Sequence, residues 1–340
     1  MENALPTRRG ALLAGLSLAG VAVARPALAT GSVGMCDGRL RLPDGRVLGY
    51  AECGDPAGPL VFYFHGTPGS RLEAALIAKE AAAAGVRLVS LGRPGMGLST
   101  FQSNRRITDW PADVACTVDA LGYGGTSFGI LAMSGGVPYA LACVRAMPER
   151  LTHVAICSGH TPPDAPGVTP GNQDKLIDFV VRRPRLATTG FKVVIRRLHR
   201  KPDAVAQKIG ESWSAADRQL VFCDPVLYRA LIANLNDASR CGPAGIVADV
   251  RLLGSCWPFQ LCDLPPASIS IWQGACDPIA PPSMGHYFQR QLAGSELVID
   301  PMAGHVTMLK WHAPEILARF AAPAEHISHR LPWTGRNSEG

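Results

Sequence analysis

The sequence has few features that would indicate a membrane, metal or nucleic-acid partner. Outside the first 30 residues, no apolar run approaches the roughly 20 residues that cross a bilayer. The ten cysteines form no Cys-x-x-Cys pair and no Cys/His cluster with the spacing of a zinc site. The net charge of +6 falls to near +4 without residues 1–29, which is too weak and scattered to indicate nucleic-acid binding. We therefore expect a soluble protein with no metal or organic cofactor, no nucleic-acid partner and no integral membrane segment in the mature chain.

Charged residues are also sparse, at 18%, whereas hydrophobic residues make up 47% of the 340-residue chain. This composition excludes a disordered, collagen-like or coiled-coil protein and supplies material for a large core. The 36 glycines and 28 prolines indicate many turns between short elements. The length fits one large domain, or one domain that carries an insertion.

The N-terminal residues resemble a twin-arginine export signal. Arg8 and Arg9 precede a glycine-containing apolar stretch, and Ala27-Leu28-Ala29 supplies the small residues of a cleavage site. We expect residues 1–29 to direct the protein out of the cytoplasm, which makes it secreted or periplasmic. The alternative is a cytoplasmic protein.

Apolar segments with the lengths of strands and helices alternate along most of the chain. Strands are predicted at 39–42, 47–51, 60–64, 87–91, 127–133, 153–157, 268–272 and 297–300, and helices at 72–84, 108–121, 137–147, 281–292 and 314–320. Such alternation is typical of an α/β fold with a mostly parallel central sheet and flanking helices. The alternation stops between the sixth and seventh strands. The predicted organisation is a core in two parts, 38–159 and 256–322, a helical cap insertion at 160–255, and a polar tail at 323–340.

Two serines compete as a candidate nucleophile. Ser127 lies in a literal Gly-x-Ser-x-Gly match, but the apolar residues after it continue as a strand. A nucleophile on a strand–turn–helix elbow must instead follow a strand and precede a helix. Ser134 meets both conditions, with the small residues Ala132 and Gly136 on either side. Ser134 is therefore the better candidate.

Further chemistry-bearing residues follow other predicted strands. His65 and Gly66 begin a glycine-rich loop after the third strand, Asp277 follows the seventh, and His305 follows the last. The carboxyl ends of parallel strands meet at one edge of a sheet, which is where ligands bind in open α/β folds. We therefore expect these residues to converge with Ser134.

Taken in this order, the motifs resemble those of α/β-hydrolase-fold proteins over roughly residues 38–320. The resemblance implies a catalytic triad of the nucleophile Ser134, the general base His305 and its orienting acid Asp277. It also implies an oxyanion hole formed by the backbone N–H groups of Thr67 and Gly135, beside the oxyanion-loop residues His65, Gly66 and Pro68. The sequence departs from the family at Gly92, where an acidic residue is usual before Arg93.

Other residues could fill two of these roles. His286 and His312 are the alternative bases, although both are predicted on solvated helix faces. Asp249 and Asp263 are the alternative acids.

The resulting functional hypothesis is a serine hydrolase that cleaves a small or medium carboxylic ester or a similar acyl bond in a small-molecule substrate. A lactonase, thioesterase, carbon–carbon bond hydrolase or cofactor-free perhydrolase would use the same triad. A non-catalytic binding protein that kept the fold is the alternative of a different class. Residues 160–255 carry 14 Lys/Arg against 9 Asp/Glu, so attraction of anionic substrates or of a membrane surface is a further hypothesis.

Overall fold

A mostly parallel eight-stranded sheet forms the centre of the computed structural model, which describes residues 34–321. The strands are β1 (Cys36–Arg41), β2 (Val47–Gly54), β3 (Leu60–Phe64), β4 (Arg87–Leu91), β5 (Phe128–Met133), β6 (Leu151–Cys157), β7 (Ile269–Gly274) and β8 (Glu296–Asp300). Their order across the sheet is β1-β2-β4-β3-β5-β6-β7-β8. β2 is antiparallel to both of its neighbours, and the other six strands, β3 to β8, run parallel to one another. The predicted fold class is confirmed.

The central strands are apolar along their whole length because helices cover both faces of the sheet. Every residue of β3, β5 and β7 is buried. The edge hairpin of β1 and β2 turns at Gly45, whose φ of +86° lies in the region that favours glycine.

Within residues 34–321 eleven α-helices are present. They are α1 (Ala78–Ala83), α2 (Trp110–Ala120), α3 (Val137–Ala146), α4 (Asp174–Arg182), α5 (Pro184–Arg200), α6 (Pro202–Gly210), α7 (Ala215–Cys223), α8 (Pro225–Ser239), α9 (Ala244–Leu253), α10 (Pro282–Gln291) and α11 (His305–Ala321). α2, α3 and α10 pack on one face of the sheet, and α1 and α11 pack on the other. The remaining helices, α4 to α9, follow one another between β6 and β7, and we refer to them as the cap helices. The division of the chain into core and cap domains stays a prediction.

The structure corrects two predicted helices. The segment predicted as one helix at 72–84 begins as a 3-10 helix (Arg71–Ile77) and becomes α-helical only in α1. The last helix starts at His305 rather than at Pro314, which lies inside α11. Proline favours the first turn of a helix because it lacks an N–H group, so its position misplaced the start. Tertiary packing overrides that signal, since Leu309, Ile316 and Leu317 of α11 are fully buried in the core.

Several predictions concern parts of the chain that the structure does not describe. The export signal (1–29) and the polar tail (323–340) both fall outside residues 34–321. In the part that is described, no helix combines the length and apolarity needed to span a membrane. All ten cysteines are described, and each is a free thiol.

Candidate active site

Ser134 lies on a sharp turn at the carboxyl end of β5. Six buried residues lead into it, and a 3-10 helix (Ser134–Gly136) carries the chain directly into α3. The φ of Ser134 is +51°, a backbone conformation that non-glycine residues rarely adopt. Gly136 permits this turn because a Cβ there would overlap the carbonyl oxygen of Phe64 on β3. Ser127, by contrast, is exposed at the opposite end of β5.

Asp277 and His305 form a buried hydrogen-bonded pair at the same edge of the sheet. His305 Nδ1 lies 2.7 Å from Asp277 Oδ2. The other carboxylate oxygen, Oδ1, accepts hydrogen bonds from the backbone N–H groups of Ile279 (2.8 Å) and Ala280 (2.9 Å). These bonds fix the carboxylate, which in turn fixes the orientation of the imidazole and leaves its Nε2 as the atom available to a substrate or nucleophile.

The surroundings of His305 favour its protonated form. Burial by itself lowers the pKa of His305, but the charge and hydrogen bond of Asp277, with the charges of Asp217 and Glu73, together outweigh burial, so the pKa is raised above its usual value of 6.5. A carboxylate beside a histidine in this way stabilises the imidazolium that forms when the histidine takes up a proton.

Thr67 and Gly135, the two predicted oxyanion-hole residues, lie next to each other. A Cβ added to Gly135 would be 3.3 Å from the backbone nitrogen of Thr67. The neighbouring N–H of Gly66 is not available, because it donates to Glu73 Oε1 at 2.7 Å. Pro68 has no N–H to donate.

His65 has a structural role in the same loop. Its Nδ1 lies 2.8 Å from the carbonyl oxygen of Gly66, and its Nε2 accepts the backbone N–H of Arg93 at 3.3 Å. Burial and the nearby charge of Arg93 hold the pKa of His65 well below its usual value, so the ring is neutral at physiological pH.

A buried charge cluster supports this loop from the cap. Asp249 on α9 binds Arg93 (2.7 Å) and Arg105 (2.6 Å), and all three residues are almost inaccessible to solvent. Asp249 also accepts the hydroxyl groups of Thr67 (2.6 Å) and Tyr139 (2.7 Å). Arg93 in turn donates to the carbonyl oxygens of His65 and Gly66. Arg93 therefore receives its carboxylate partner from the cap, although Gly92 supplies none.

The residues considered as alternative acids and bases of the triad are either paired with other residues or exposed. Asp249 is paired with Arg93 and Arg105, and Asp263 is exposed in a 3-10 helix. His286 is exposed on α10. His312 is half-buried rather than solvated, because its Nε2 pairs with Asp300 at 2.8 Å.

Glu73 is a site residue that no sequence motif marked. It is buried in the 3-10 helix before α1, where its Oε1 accepts the N–H of Gly66 and the hydroxyl of Tyr63 (3.0 Å). Asn234 of cap helix α8 donates to its Oε2 at 3.3 Å. Burial raises the pKa of Glu73, and the hydrogen bond from Gly66 opposes that effect only in part. A lone glutamate in an alanine-rich segment carries no sequence signal of such a role.

The candidate nucleophile and base face one cavity of about 600 Å³. Ser134, His305, Thr67 and Glu73 are among the residues that line it. Its walls are mainly apolar and come from the cap helices, among them Phe179, Phe191, Ile195, Leu231, Val250 and Leu253. A volume of this size is typical of small-molecule sites, and the wall chemistry suits an apolar ligand. Among the described residues, no group of three or more His, Cys, Asp or Glu side chains could hold a metal ion.

Comparison with solved structures identifies the architecture. An α/β-hydrolase-fold protein from Nakamurella multipartita is 19% identical, with a TM-score of 0.55 over 84% of this chain and 99% of that one. A thermophilic esterase from Thermogutta terrifontis is 19% identical, with a TM-score of 0.57 over 89% and 100% of the two chains. The enol-lactonase of Burkholderia xenovorans is 14% identical, with a TM-score of 0.61 over 82% and 97%. The chain therefore has the α/β-hydrolase fold.

Sequence-based comparisons add nothing to this assignment. No protein-family model matches the chain. No curated protein matches it either.

Proposed function

We propose that this protein is a serine hydrolase that cleaves a small or medium carboxylic ester, or a similar acyl bond, through an acyl-enzyme. The observation that carries the proposal is the Asp277–His305 pair, whose histidine lines the same cavity as a serine held at a strained strand-to-helix turn. A serine hydroxyl is a weak nucleophile until an adjacent imidazole takes its proton, so these three side chains act as a unit. The esterase and the enol-lactonase among the structural neighbours are consistent with ester chemistry on this fold.

The proposed first step acylates Ser134. Its Oγ attacks the ester carbonyl carbon while His305 Nε2 takes the hydroxyl proton, and Asp277 stabilises the resulting imidazolium. The negative charge that develops on the carbonyl oxygen is stabilised by the N–H groups of Thr67 and Gly135. The C–O bond then breaks, and the imidazolium gives its proton to the departing alkoxide, which leaves as the alcohol.

The second step releases the acid. His305 takes a proton from a water molecule, whose oxygen attacks the acyl carbon of the ester on Ser134. The tetrahedral intermediate collapses, the bond to Ser134 Oγ breaks, and the imidazolium returns a proton to that oxygen. A lactone would follow the same two steps, with its alcohol and acid remaining in one molecule.

The cavity constrains the substrate. Its volume of about 600 Å³ lies within the range of roughly 300–1,000 Å³ that is usual for small-molecule sites. The apolar walls contributed by the cap favour a substrate with a hydrocarbon acyl or alcohol part. We therefore expect activity toward esters of medium chain length to exceed that toward acetates.

A fluorophosphonate probe tests the proposal. The protein should form a covalent adduct on Ser134, identified by peptide mapping, that is absent in Ser134→Ala and strongly reduced in His305→Ala. Ser127→Ala is the matched control and should label like the unaltered protein. An adduct on Ser127 would contradict the choice of nucleophile, and a folded protein that forms no adduct and hydrolyses no ester would favour the non-catalytic binding protein.

We further propose that the protein is exported through its N-terminal segment. The paired Arg8 and Arg9 and the small residues at Ala27 and Ala29 support this placement. The double substitution Arg8→Lys, Arg9→Lys should retain the full-length chain in the cytoplasm of the producing cell, as measured by fractionation and N-terminal sequencing. An unaltered distribution would favour a cytoplasmic protein.

A further inference from the structure

The helix that begins with His305 is capped by a carboxylate from another part of the chain. Asp217 Oδ2 accepts the backbone N–H of His305 at 2.8 Å. Its Oδ1 accepts the N–H groups of Val306 (2.9 Å) and Thr307 (2.8 Å), together with the Thr307 hydroxyl (2.9 Å). Three of the N–H groups that a helix leaves unpaired in its first turn are thus satisfied by one side chain. Asp217 is itself fully buried, so this contact is shielded from solvent.

The contact between Asp217 and α11 requires a glycine at position 304. A Cβ at Gly304 would overlap both Asp217 Oδ2 and Ser214 Oγ. Ser214, the N-cap residue just before cap helix α7, accepts the N–H of Asp217 at 3.0 Å and donates its hydroxyl to Asp217 Oδ2 at 2.8 Å. The carboxylate is therefore held from the cap side by Ser214 and can reach α11 only because residue 304 has no side chain.

Two neighbouring helices among the cap helices are capped by residues that directly precede them in the sequence. Ser214 caps its own helix, and Asp224 caps α8 by accepting the N–H groups of Val226 and Leu227. Asp217 reaches α11 across 88 positions of sequence. An anionic group at a helix N-terminus also interacts favourably with the helix dipole. The cap thus holds the start of α11, and with it the backbone of His305.

We propose that Asp217 is a positioning residue for His305, by which the cap sets the place and the charge of the catalytic base. The inference rests on the proposed function, because it treats His305 as that base. Asp217 acts through the His305 backbone and through its own negative charge.

Several charged or titratable groups face His305. Asp277 comes from the loop after β7, Asp217 from α7, Glu73 from the 3-10 helix before α1, and His160 from the loop after β6. The three carboxylates favour protonation of His305, whereas a charge on His160 would oppose it. Burial and the charge on His305 both keep the pKa of His160 low, although Asp174 acts in the opposite direction. Burial lowers the pKa of His305, Asp277 gives the largest increase, and Asp217 adds to it.

The test is the Asp217→Asn variant of the full-length protein, with Asp224→Asn as the matched control. The control removes a carboxylate from a neighbouring helix cap whose hydrogen bonds go to Val226 and Leu227 of α8 rather than to the start of α11. In Asp217→Asn, the acid limb of the kcat/KM profile for a p-nitrophenyl ester should move to lower pH, because His305 loses one of the charges that favour its protonation. We also expect kcat to fall on the order of tenfold while KM stays near its original value, since a shifted base affects chemistry more than binding.

A second readout does not depend on catalysis. The ring protons of His305 can be titrated by NMR in the resting protein, and the midpoint should move to lower pH in Asp217→Asn and stay in place in Asp224→Asn. This separates the two proposals: if no ester is cleaved at all, the proposed function fails, but the NMR titration still shows whether Asp217 acts on His305. A loss of activity with both the acid limb and the NMR midpoint unchanged would overturn the inference, since a merely structural defect lowers activity at every pH.

A second variant covers the case in which Asp217→Asn does not fold. Gly304→Ala leaves Asp217 chemically intact but fills the space that its carboxylate occupies. It should shift the acid limb in the same direction and lower kcat rather than raise KM. A Gly304→Ala protein with the original kcat and the original acid limb would contradict the inference.

Discussion

Removing the carboxylate of Asp249 should destabilise the protein far more than removing a surface carboxylate. The side chains of Asp249 and Arg93 are fully buried and that of Arg105 is 3% exposed, so Asp249→Ala leaves two guanidinium groups in the interior without a counter-charge. Breaking a buried ion pair on one side typically costs about 3–5 kcal/mol. The hydroxyls of Thr67 and Tyr139 lose the same acceptor, which places the expected cost at the upper end of that range.

The chain offers a matched control in the cap. Asp178 pairs with Arg182 at 2.6 Å on the surface of α4, where the two side chains are 57% and 73% exposed. An exposed pair of this kind contributes little to stability because solvent screens both charges, so Asp178→Ala should be nearly neutral. The two variants remove the same chemical group and differ mainly in its burial.

The assay is equilibrium unfolding in urea, supported by thermal denaturation. At about 2 °C per kcal/mol for a chain of this size, Asp249→Ala should lower Tm by ~6–10 °C. Burial raises the pKa of Asp249, but Arg93 and Arg105 outweigh burial and hold that pKa well below its ordinary value of 3.8. Its stabilising contribution is therefore fully present well above pH 3.8 and declines progressively as the pH falls below 3.8, so the difference from the unaltered protein should be constant between about pH 5 and 8. If Asp249→Ala and Asp178→Ala lost similar free energies of unfolding, the assignment of a strongly coupled buried cluster would be refuted.

Three further changes test the loop, the cavity and the charge of the cap. Thr67→Val removes a hydroxyl that Arg93 and Asp249 both bind, so it should cost about 1–3 kcal/mol of stability and slow fluorophosphonate labelling, whereas Thr67→Ser should do neither. Ala230→Trp fills part of the cavity and should lower kcat/KM for medium-chain esters more than for acetates; equal losses would contradict the placement of the substrate. The triple substitution of Arg196, Arg197 and Arg200 by Gln removes three exposed charges from α5. Under the steering hypothesis KM should rise for acidic esters only, and the rise should disappear at high salt; an unchanged KM at low salt would exclude steering.

The sequence by itself determined the fold class and the edge of the sheet where the candidate site lies. Both depend on local signals: buried strands such as β5 are continuous apolar runs, and helices follow them in short steps. The same local context separated Ser134 from Ser127, because a strand follows one serine and a helix follows the other. The order of Ser134, Asp277 and His305 along the chain was likewise readable, although their catalytic roles stay a proposal until labelling and kinetics test them.

Only the tertiary structure decided what holds these residues in place. In the sequence, Asp217 was one of nine acidic residues in a basic insertion, and Asp249 was an alternative acid for the triad. In the structure, Asp217 caps the helix of His305, and Asp249 binds Arg93 and Thr67. The contacts join positions 88 to 182 residues apart, and no periodicity or motif encodes them. The start of α11 was misplaced for a related reason, because its cap is a side chain from another helix rather than a neighbouring residue. Local sequence patterns determine the helices and strands. The partners of buried charges and of helix ends depend instead on which residues the fold brings within hydrogen-bond distance.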